Sequence, residues 1–437
     1  MTSIIQSAMS FMETGLMRIE RLSKENQEMK FKWLIQHFTK DNLTKCFHEL
    51  GRKKAVGIDG KSKDEYGKNL EENIEFLIER MKGLKYYPAP VREVKIPKGN
   101  GKFRPLGISN IEDKIVQSMF AKVLNAIYEP LFSDSSYGFR PGRSCHNAIR
   151  DIHKYVSKLR YGVVIDVDLS NFFGTIDHRK LIQILEIKIK DKTFIRYIVR
   201  MLRSGILTDG ELKKSDTGTP QGSIVSPVLA NIFAHYAIDQ WLITTVPKYL
   251  HGNIHFVRYA DDFVIFTNKR DVPRIIKALK GRLERFSLEL NLGKTKVINF
   301  SKTDYVKGKK QDDLDYLGFT FYFGRSRKGK ALVKIKTNRK TFTKKLKEIM
   351  GWCKANRNIR RLNELWKTFI SKVRGHIQYY SVSHNCKMVN SFVREATRAF
   401  YKWINRRSQR KSFNWEKFSQ YMKLRPLPVV KIIHRLF

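Results

Sequence analysis

The chain has 437 residues, with 85 Lys+Arg against 41 Asp+Glu and a formal net charge of +44. Its length suits two or three domains, and 42% hydrophobic with 12% aromatic residues excludes a disordered basic tail. No run approaches the ~20 apolar residues that span a bilayer, so no membrane partner is expected. The N-terminal MTSIIQSAMSFMETGL lacks the basic start and long apolar stretch of a secretory signal. Cys46, Cys145, Cys353 and Cys386 have no metal-ligand spacing and read as reduced thiols in a cytoplasmic protein. A charge excess of this size on a folded body points to a polyanion, because phosphate contacts release counterions.

In chain order, residues 1–90 read as mainly helical around Trp33, Leu34, Phe38, Leu43, Phe47 and Leu50. GRKKAVGIDG (51–60) breaks that pattern as a loop, and a helix is expected from Leu70 to Met81. In VREVKIPKGNGKFRPLGI (91–108), the alternation of Val91, Arg92, Val94, Lys95 and Ile96 predicts a strand, with a hairpin tip at GNG. Apolar residues at 115, 116, 119, 120, 123, 124 and 127 predict a helix over 111–132. Strands and helices then alternate to about residue 323, as in a mixed sheet with helices on one side.

From Arg325 to Phe437 there are 31 Lys+Arg, 4 Glu and no Asp, a net +27 that leaves +17 for the first 324 residues. This is a compositional boundary. Beyond it, Leu362, Leu365, Trp366, Phe369, Ile370 and Val373 share a helical stripe, as do Val389, Phe392, Val393, Ala396, Phe400, Trp403 and Ile404. Arg360, Arg361, Lys367, Lys372, Arg374, Arg394, Arg398 and Lys402 fall on the opposite faces. The expected regions are therefore helical 1–90, α+β 91–324 and basic helical 325–437.

Two segments carry chemistry. In RYGVVIDVDLSNFF (160–173), Asp166 and Asp168 share one face of a strand, and acids on an apolar strand call for solvent, hydrogen bonds or a cation. In IHFVRYADDFVIF (254–266), apolar flanks surround Asp261 and Asp262 at a hairpin turn. Nucleotidyl transfer uses two Mg²⁺ ions ~3.5–4 Å apart, held by one or two carboxylates plus substrate phosphates. Two aspartate-bearing strands meeting side by side would supply that set, and on a +44 chain they suit a nucleic-acid polymerase.

Tyr259-Ala260-Asp261-Asp262 resembles the catalytic hairpin of reverse transcriptases. The ordered blocks around it resemble those of group II intron reverse transcriptases, the intron-encoded maturases. They are IPKGNGKFRPLGISNIEDKIVQ (96–117), SSYGFRPGRSCHNAI (135–149), DVDLSNFFGTIDH (166–178), GTPQGSIVSPVLANIFAHYAID (218–239), LELNLGKTKVI (288–298) and DYLGFTF (315–321). RGHIQYY (374–380) through YKWINRRSQRKSFNW (401–415) resembles the maturase, or thumb, domain. The likeness implies a right-hand polymerase of α+β class: an N-terminal helical fingers extension, fingers and palm with a small antiparallel sheet backed by helices, and an α-helical thumb.

The resemblance also implies roles. Asp168, Asp261 and Asp262 match the catalytic carboxylates and ligands of two Mg²⁺ ions, with Mn²⁺ as the alternative metal; the residues alone leave Asp166 and Asp168 both open. Phe173 matches the aromatic that blocks a ribose 2′-hydroxyl. Lys98 and Arg104 match fingers residues gripping the incoming triphosphate, and Gln221 a residue near the nucleotide and template base. Lys294 matches a block contacting primer or backbone, and Arg406, Arg407, Arg410 and Lys411 form a basic cluster suited to RNA.

The implied partners are an RNA template, its own intron RNA foremost, a DNA primer or target, and dNTPs. The implied function is copying RNA into cDNA, with intron RNA binding that assists splicing and retrohoming. The rival readings are a domesticated reverse transcriptase in phage defence or DNA repair, and a non-catalytic RNA-binding splicing cofactor. Two departures stand out. Many family members carry an acid where this chain has Gly174, and many continue into a Cys/His-bearing endonuclease region where this sequence stops at Leu436-Phe437, so second-strand cleavage is not expected.

Overall fold

The computed structural model describes residues 15–52, 55–99, 102–158, 162–208, 211–213, 215–219, 222–359, 361–407 and 413–436. Helices α1 (Lys40–Glu49), α2 (Lys63–Lys68) and α3 (Leu70–Lys82) lead into strands β1 (Val91–Gly99) and β2 (Lys102–Ile108). Next come α4 (Ile111–Tyr128), α5 (Cys145–Lys158), β3 (Val163–Val167), α6 (His178–Lys188) and α7 (Lys192–Arg203). Strands β4 (Ile206–Thr208) and β5 (Glu211–Lys213) precede α8 (Ser226–Ala234) and α9 (Gln240–Thr244), and β6 (His255–Tyr259) and β7 (Asp262–Thr267) precede α10 (Val272–Arg285). The remainder is β8 (Lys296–Asn299), α11 (Lys302–Val306), β9 (Leu314–Tyr316), β10 (Phe319–Arg325), β11 (Ala331–Thr337), α12 (Arg339–Asn356), α13 (Leu362–Tyr380), α14 (Cys386–Ile404) and α15 (Trp415–Leu424). The class is α+β. No helix among the described residues is long and apolar enough to cross a membrane.

The chain forms two compact units, Met1–Ser144 with Asp166–Lys296, and Cys145–Ile165 with Val297–Phe437. The compositional boundary at 324/325 falls inside one hairpin, where Gly324 pairs with Leu332 and Arg325 with Ala331. The basic C-terminal region therefore opens with a strand before its helices begin.

In the first unit, α4 is the central helix. Ile115, Val116, Met119, Phe120, Val123, Leu124 and Ile127 are all fully buried, and Phe120 meets Phe38 at 4.7 Å and Phe194 at 4.5 Å between ring centroids. A helix buried all round must also satisfy its polar side chains, and α4 uses them to anchor loops. Gln117 accepts from Ser223 Oγ at 3.0 Å and Ile224 N at 3.1 Å. Lys114 donates to the Ala55 carbonyl at 2.8 Å, and Asp113 accepts from Tyr86 Oη at 2.6 Å and Ala89 N at 3.2 Å. The helix stops at Tyr128, short of the expected residue 132. Pro130 follows in a 3₁₀ turn, Glu129–Leu131, because proline has no backbone N–H to continue the i→i−4 ladder and its ring crowds the preceding turn.

Small sheets replace the single mixed sheet that the alternation suggested. One has the order β2-β1-β4-β5, and only Val91 and Arg92 of β1 pair with β4. Beyond Val91, β1 runs from half-buried to exposed, so it projects as a hairpin with β2 and has no face to bury. Its tip at Asn100 and Gly101 lies outside the described residues. β6 and β7 form the second hairpin of this unit, with the end of β3 beside β7.

In the second unit, β9, β10 and β11 form an antiparallel sheet, with Phe319, Phe321, Val333 and Ile335 buried. The expected stripes make the helical core. Trp366 lies 5.2 Å from Phe400 and 6.0 Å from Phe418, and Phe369 lies 4.7 Å from Phe400. Lys367, Lys372, Arg374, Arg394, Arg398 and Lys402 are exposed on the other faces, although Arg394 and Arg398 share Glu395. Arg360 lies outside the described residues.

Asp113 gives the first unit a pH dependence. Burial, first, and the charge of Glu112 push its carboxyl from 3.8 up to about 7, against the Tyr86 and Ala89 hydrogen bonds that favour the anion. Between those values the native state holds a proton that the unfolded chain has lost. The stabilisation is therefore complete below about pH 4 and gone above about pH 7, a change of roughly 1–4 kcal/mol. Asp113→Asn should flatten this part of the stability curve, read as the difference in denaturant midpoint between the two proteins at pH 4.5 and 7.5.

Candidate active site

The sequence Arg-Tyr-Ala-Asp-Asp folds as a two-residue hairpin. Tyr259 pairs with Asp262, and Ala260 takes φ +59° at the first loop position, where tight hairpins require the left-handed region. The turn places Asp261 and Asp262 at the strand ends, near enough to Asp166 and Asp168 for their charges to interact. Asp262 is solvent-accessible, yet the protein crowding the turn, first, and then Asp261, Asp166 and Asp168 push its carboxyl up to about 6, while Arg104 pulls the other way. Solvent access moderates the crowding, and the three like charges carry the direction.

Asp168 follows β3 in a segment that pairs with residues 289–291. Leu169 bridges Leu290, Ser170 N donates to the Glu289 carbonyl at 3.0 Å, and Asn291 N donates to the Asp168 carbonyl at 2.9 Å. Lys294, just past this pairing, puts its ammonium 3.5 Å from Asp168 Oδ2. Both groups are substantially exposed, so the pair contributes well under ~1 kcal/mol. Its effect is to set a movable cation over the carboxylates.

Phe172 is buried, whereas Phe173 is half-buried, its ring standing edge to face with Phe139 at 6.4 Å between centroids. Gly174 follows because Asn171 sits at φ +46° with its side chain turned back. A Cβ at 174 would lie 2.3 Å from Asn171 Nδ2, so a larger residue here would require the Asn171 side chain to move. The Phe173 carbonyl accepts from Thr219 N at 2.8 Å, tying this turn to the 218–224 loop. Gly222, at φ +109°, packs where a Cβ would come within 2.5 Å of the Gly107 carbonyl on β2. Gln221 itself lies outside the described residues. Arg104 is exposed on β2 opposite Ile96, and the Lys98 side chain lies outside the described residues. Arg406 is exposed, with its guanidinium 5.3 Å from the Trp403 ring centroid, and Arg407 is half-buried; Arg410 and Lys411 lie outside the described residues.

Among the described residues, no three His, Cys, Asp or Glu side chains are grouped as a complete metal cage. A hard divalent cation that takes one or two carboxylates and fills its shell with water and phosphate oxygens is the metal that such an aspartate set would suit.

Sequence reasoning missed the residues that hold the hairpin. Arg258 on β6 is 1% exposed and donates from Nε and Nη2 to Asp239 at 2.7 and 2.6 Å. Its Nη1 donates to Asn231 Oδ1 at 3.1 Å and to the Ala260 carbonyl in the turn at 3.0 Å. Asn231 donates to the Gly138 carbonyl at 2.6 Å, and a Cβ on Gly138 would lie 2.4 Å from Ala260 N. The Ser-Ser-Tyr-Gly stretch thus packs on β6, with Arg258 N donating to the Ser135 carbonyl and Tyr137 N to the Arg258 carbonyl, both at 2.8 Å. Asp239 ends a π-helical turn, His235–Asp239. His235, 4.0 Å away, is pushed down to about 4 by burial and stays neutral, so Arg258 is the cation that balances Asp239. The available signal was an arginine inside an otherwise apolar strand, which needs a buried partner.

Residues 96–321, more than half of the chain, match the family described as reverse transcriptase (RNA-dependent DNA polymerase), and the chain belongs to that family. It is similar to the group II intron-encoded protein LtrA of Lactococcus lactis subsp. cremoris, 36% identical over 236 residues that cover 54% of this chain and 39% of that protein. An uncharacterized 91 kDa protein in the cob intron of Schizosaccharomyces pombe is 31% identical over 373 residues, covering 71% of this chain and 46% of that protein. Protein YkfC of Escherichia coli is 34% identical over 272 residues, covering 55% of this chain and 71% of that protein. The chain thus spans less than half the length of the first two relatives.

Removing one partner of the Arg258–Asp239 pair leaves a buried, uncompensated charge, which costs about 3–5 kcal/mol. Asp239→Ala should lower the unfolding midpoint by that order, and Arg258→Lys, which keeps the charge but loses the fork, by less. Thermal and denaturant unfolding of the two variants measure the difference.

Proposed function

We propose that this chain is an RNA-directed DNA polymerase of group II intron type. The observation that carries the reading is that Asp166, Asp168 and Asp261 all lie close enough to Asp262 at the hairpin turn for their charges to act on it, with Arg104 also within reach, in a chain of the reverse transcriptase family. Asp168, Asp261 and Asp262 would hold two Mg²⁺, or Mn²⁺, which when bound activate the primer 3′-hydroxyl and offset charge on the leaving pyrophosphate. The Ala260 turn aims the carboxylates, and the Arg258 fork fixes the turn. Arg104 and Lys98, on the β1–β2 hairpin, meet the triphosphate, where cations stabilise the charge that develops during transfer. Phe173 closes the space beside the sugar, and Gln221 contributes near the nucleotide and template base. Lys294 exchanges Asp168 for a nucleic-acid phosphate when a duplex enters.

The same protein binds RNA through its basic surfaces, the thumb-like region 325–437 with Arg406, Arg407, Arg410 and Lys411 among them, beside the fingers extension 1–90 and the fingers and palm 91–324. Its template is an RNA, its own intron RNA first, and its products are cDNA. The intron-encoded relatives support a role in splicing and retrohoming. Retained acids at the turn disfavour a purely structural splicing cofactor, since a chain without chemistry gains nothing from crowding like charges.

Purified protein should extend a DNA primer on an RNA template with Mg²⁺ and dNTPs. Asp261→Asn should abolish extension while changing RNA affinity less than about twofold, because binding rests on many Lys and Arg contacts elsewhere. Near-normal extension by that variant would sink the assignment.

Phe173→Val should raise incorporation of ribonucleotides relative to deoxynucleotides by at least ~10-fold, a little over 1.4 kcal/mol of lost discrimination. Single-nucleotide kinetics with the paired substrates give the ratio. Phe173 is only half-buried, so folding should survive, and an unchanged ratio would return it to a packing role.

A further inference from the structure

Helix α10 buries Val272, Ile275, Leu279 and Leu283 and turns its other face outward. That face and the end of α9 line a groove of about 560 Å³, bounded by Trp241, Thr245, Arg274, Lys277, Arg282 and Arg285, with Ala278 and Gly281 as its floor. The four charged side chains are all cationic. The acid nearest in sequence, Glu284, is engaged by Lys280 at 3.9 Å, and no ion pair to the four is found among the described residues.

Two of the guanidiniums are braced by the protein. Arg282 donates to the Ala237 carbonyl at 3.0 Å and to the Tyr236 carbonyl at 2.9 Å, with its plane over the Phe286 ring. Arg274 donates to the Tyr249 carbonyl. Lys277 and Arg285 are exposed beside them. Four cations around one concavity without counter-charge raise the local positive potential toward an anion, and the two restrained guanidiniums lose little entropy when they bind one. The floor is as informative as the walls. Nothing lies within 4 Å of a Cβ placed on Gly281, so a backbone can approach the helix closely there. None of these residues belongs to the carboxylate cluster.

We propose that this groove is a second nucleic-acid site, separate from the catalytic turn, which takes the phosphate backbone of folded RNA. The inference rests on the polymerase reading for its choice of RNA. Charge complementarity selects a polyanion, and an open groove with a single aromatic wall suits a continuous sugar–phosphate chain with Trp241 available for a base face. The thermodynamic mark of such a site is salt dependence: each phosphate contact removed lowers the slope of log affinity against log salt by roughly 0.7–0.9.

The test compares wild type with the triple variant Arg274→Gln, Lys277→Gln, Arg285→Gln, leaving the bracing Arg282 in place. The probes are a transcribed group II intron RNA, a short RNA–DNA primer duplex, and vesicles containing phosphatidylserine. A second variant, Gly281→Phe, fills the floor without altering charge. The expected result is at least a ~10-fold loss of intron RNA affinity for the triple variant, with a slope lowered by about 2–3, and a several-fold loss for Gly281→Phe. Extension of the short duplex should be unchanged in both. Wild-type RNA affinity and slope in both variants would overturn the groove while leaving the polymerase reading intact. Loss of vesicle binding alone would overturn it in favour of an anionic membrane. A wild-type protein that binds no intron RNA and extends no primer would overturn the polymerase reading, and the groove with it.

Discussion

The bidentate contact between Arg258 and Asp239 is the constraint on which the aspartate-bearing turn depends. A fully buried charge pair gains little net stability against desolvation, so its value lies in what else the guanidinium holds. With two donors committed to Asp239, the remaining nitrogen reaches Asn231 and the Ala260 carbonyl, and Asn231 reaches Gly138. One planar group thus fixes a π-helical turn, a strand, a left-handed loop residue and the backbone packed behind it. A carboxylate pair on a two-residue turn would otherwise be free to splay under its own repulsion.

That repulsion is visible in the site. Burial and like charge raise Asp262, and the nearby cations sit where they only partly relieve it: Arg104 at a distance and Lys294 on an exposed arm beside Asp168. Such an arrangement is unfavourable alone, and on the proposed reading it would become favourable once a metal ion and a triphosphate were bound, as pre-organised charge that need not reorganise.

A division of labour follows from where the acids are. The first unit spends its aspartates on the turn and on caps, such as Asp191, which accepts from Thr193 N and Phe194 N at the start of α7 and also from Leu34 N. The helices after residue 325 carry almost none, so their cations face outward with few internal partners. Their core is aromatic instead, built around Trp366, and buried Asn385 bonds both Thr337 and the Tyr380 carbonyl to join sheet and helices.

The sequence by itself determined much of this protein. Helical spacing marked the faces of α4, α13 and α14, because burial follows a period of 3.6. Alternation marked β1, and apolar flanks around Asp261 and Asp262 marked the turn, because a hairpin confines its polar residues to the loop. Ordered motifs marked the family. Only the tertiary structure decided what depends on distant partners. Helix 111–132 ends early at a proline turn, and the strands divide among small sheets because β1 has no face to bury. Gly174 leaves room for the Asn171 side chain that turns back on it, and Lys294 lies over Asp168. Arg258, Asp239, Asn231 and Gln117 looked like ordinary polar residues in apolar runs. Apart from the local bond of Arg258 to Ala260, their roles come from hydrogen bonds that reach from 19 to 107 positions away, and no local pattern of hydropathy specifies which buried donor meets which acceptor.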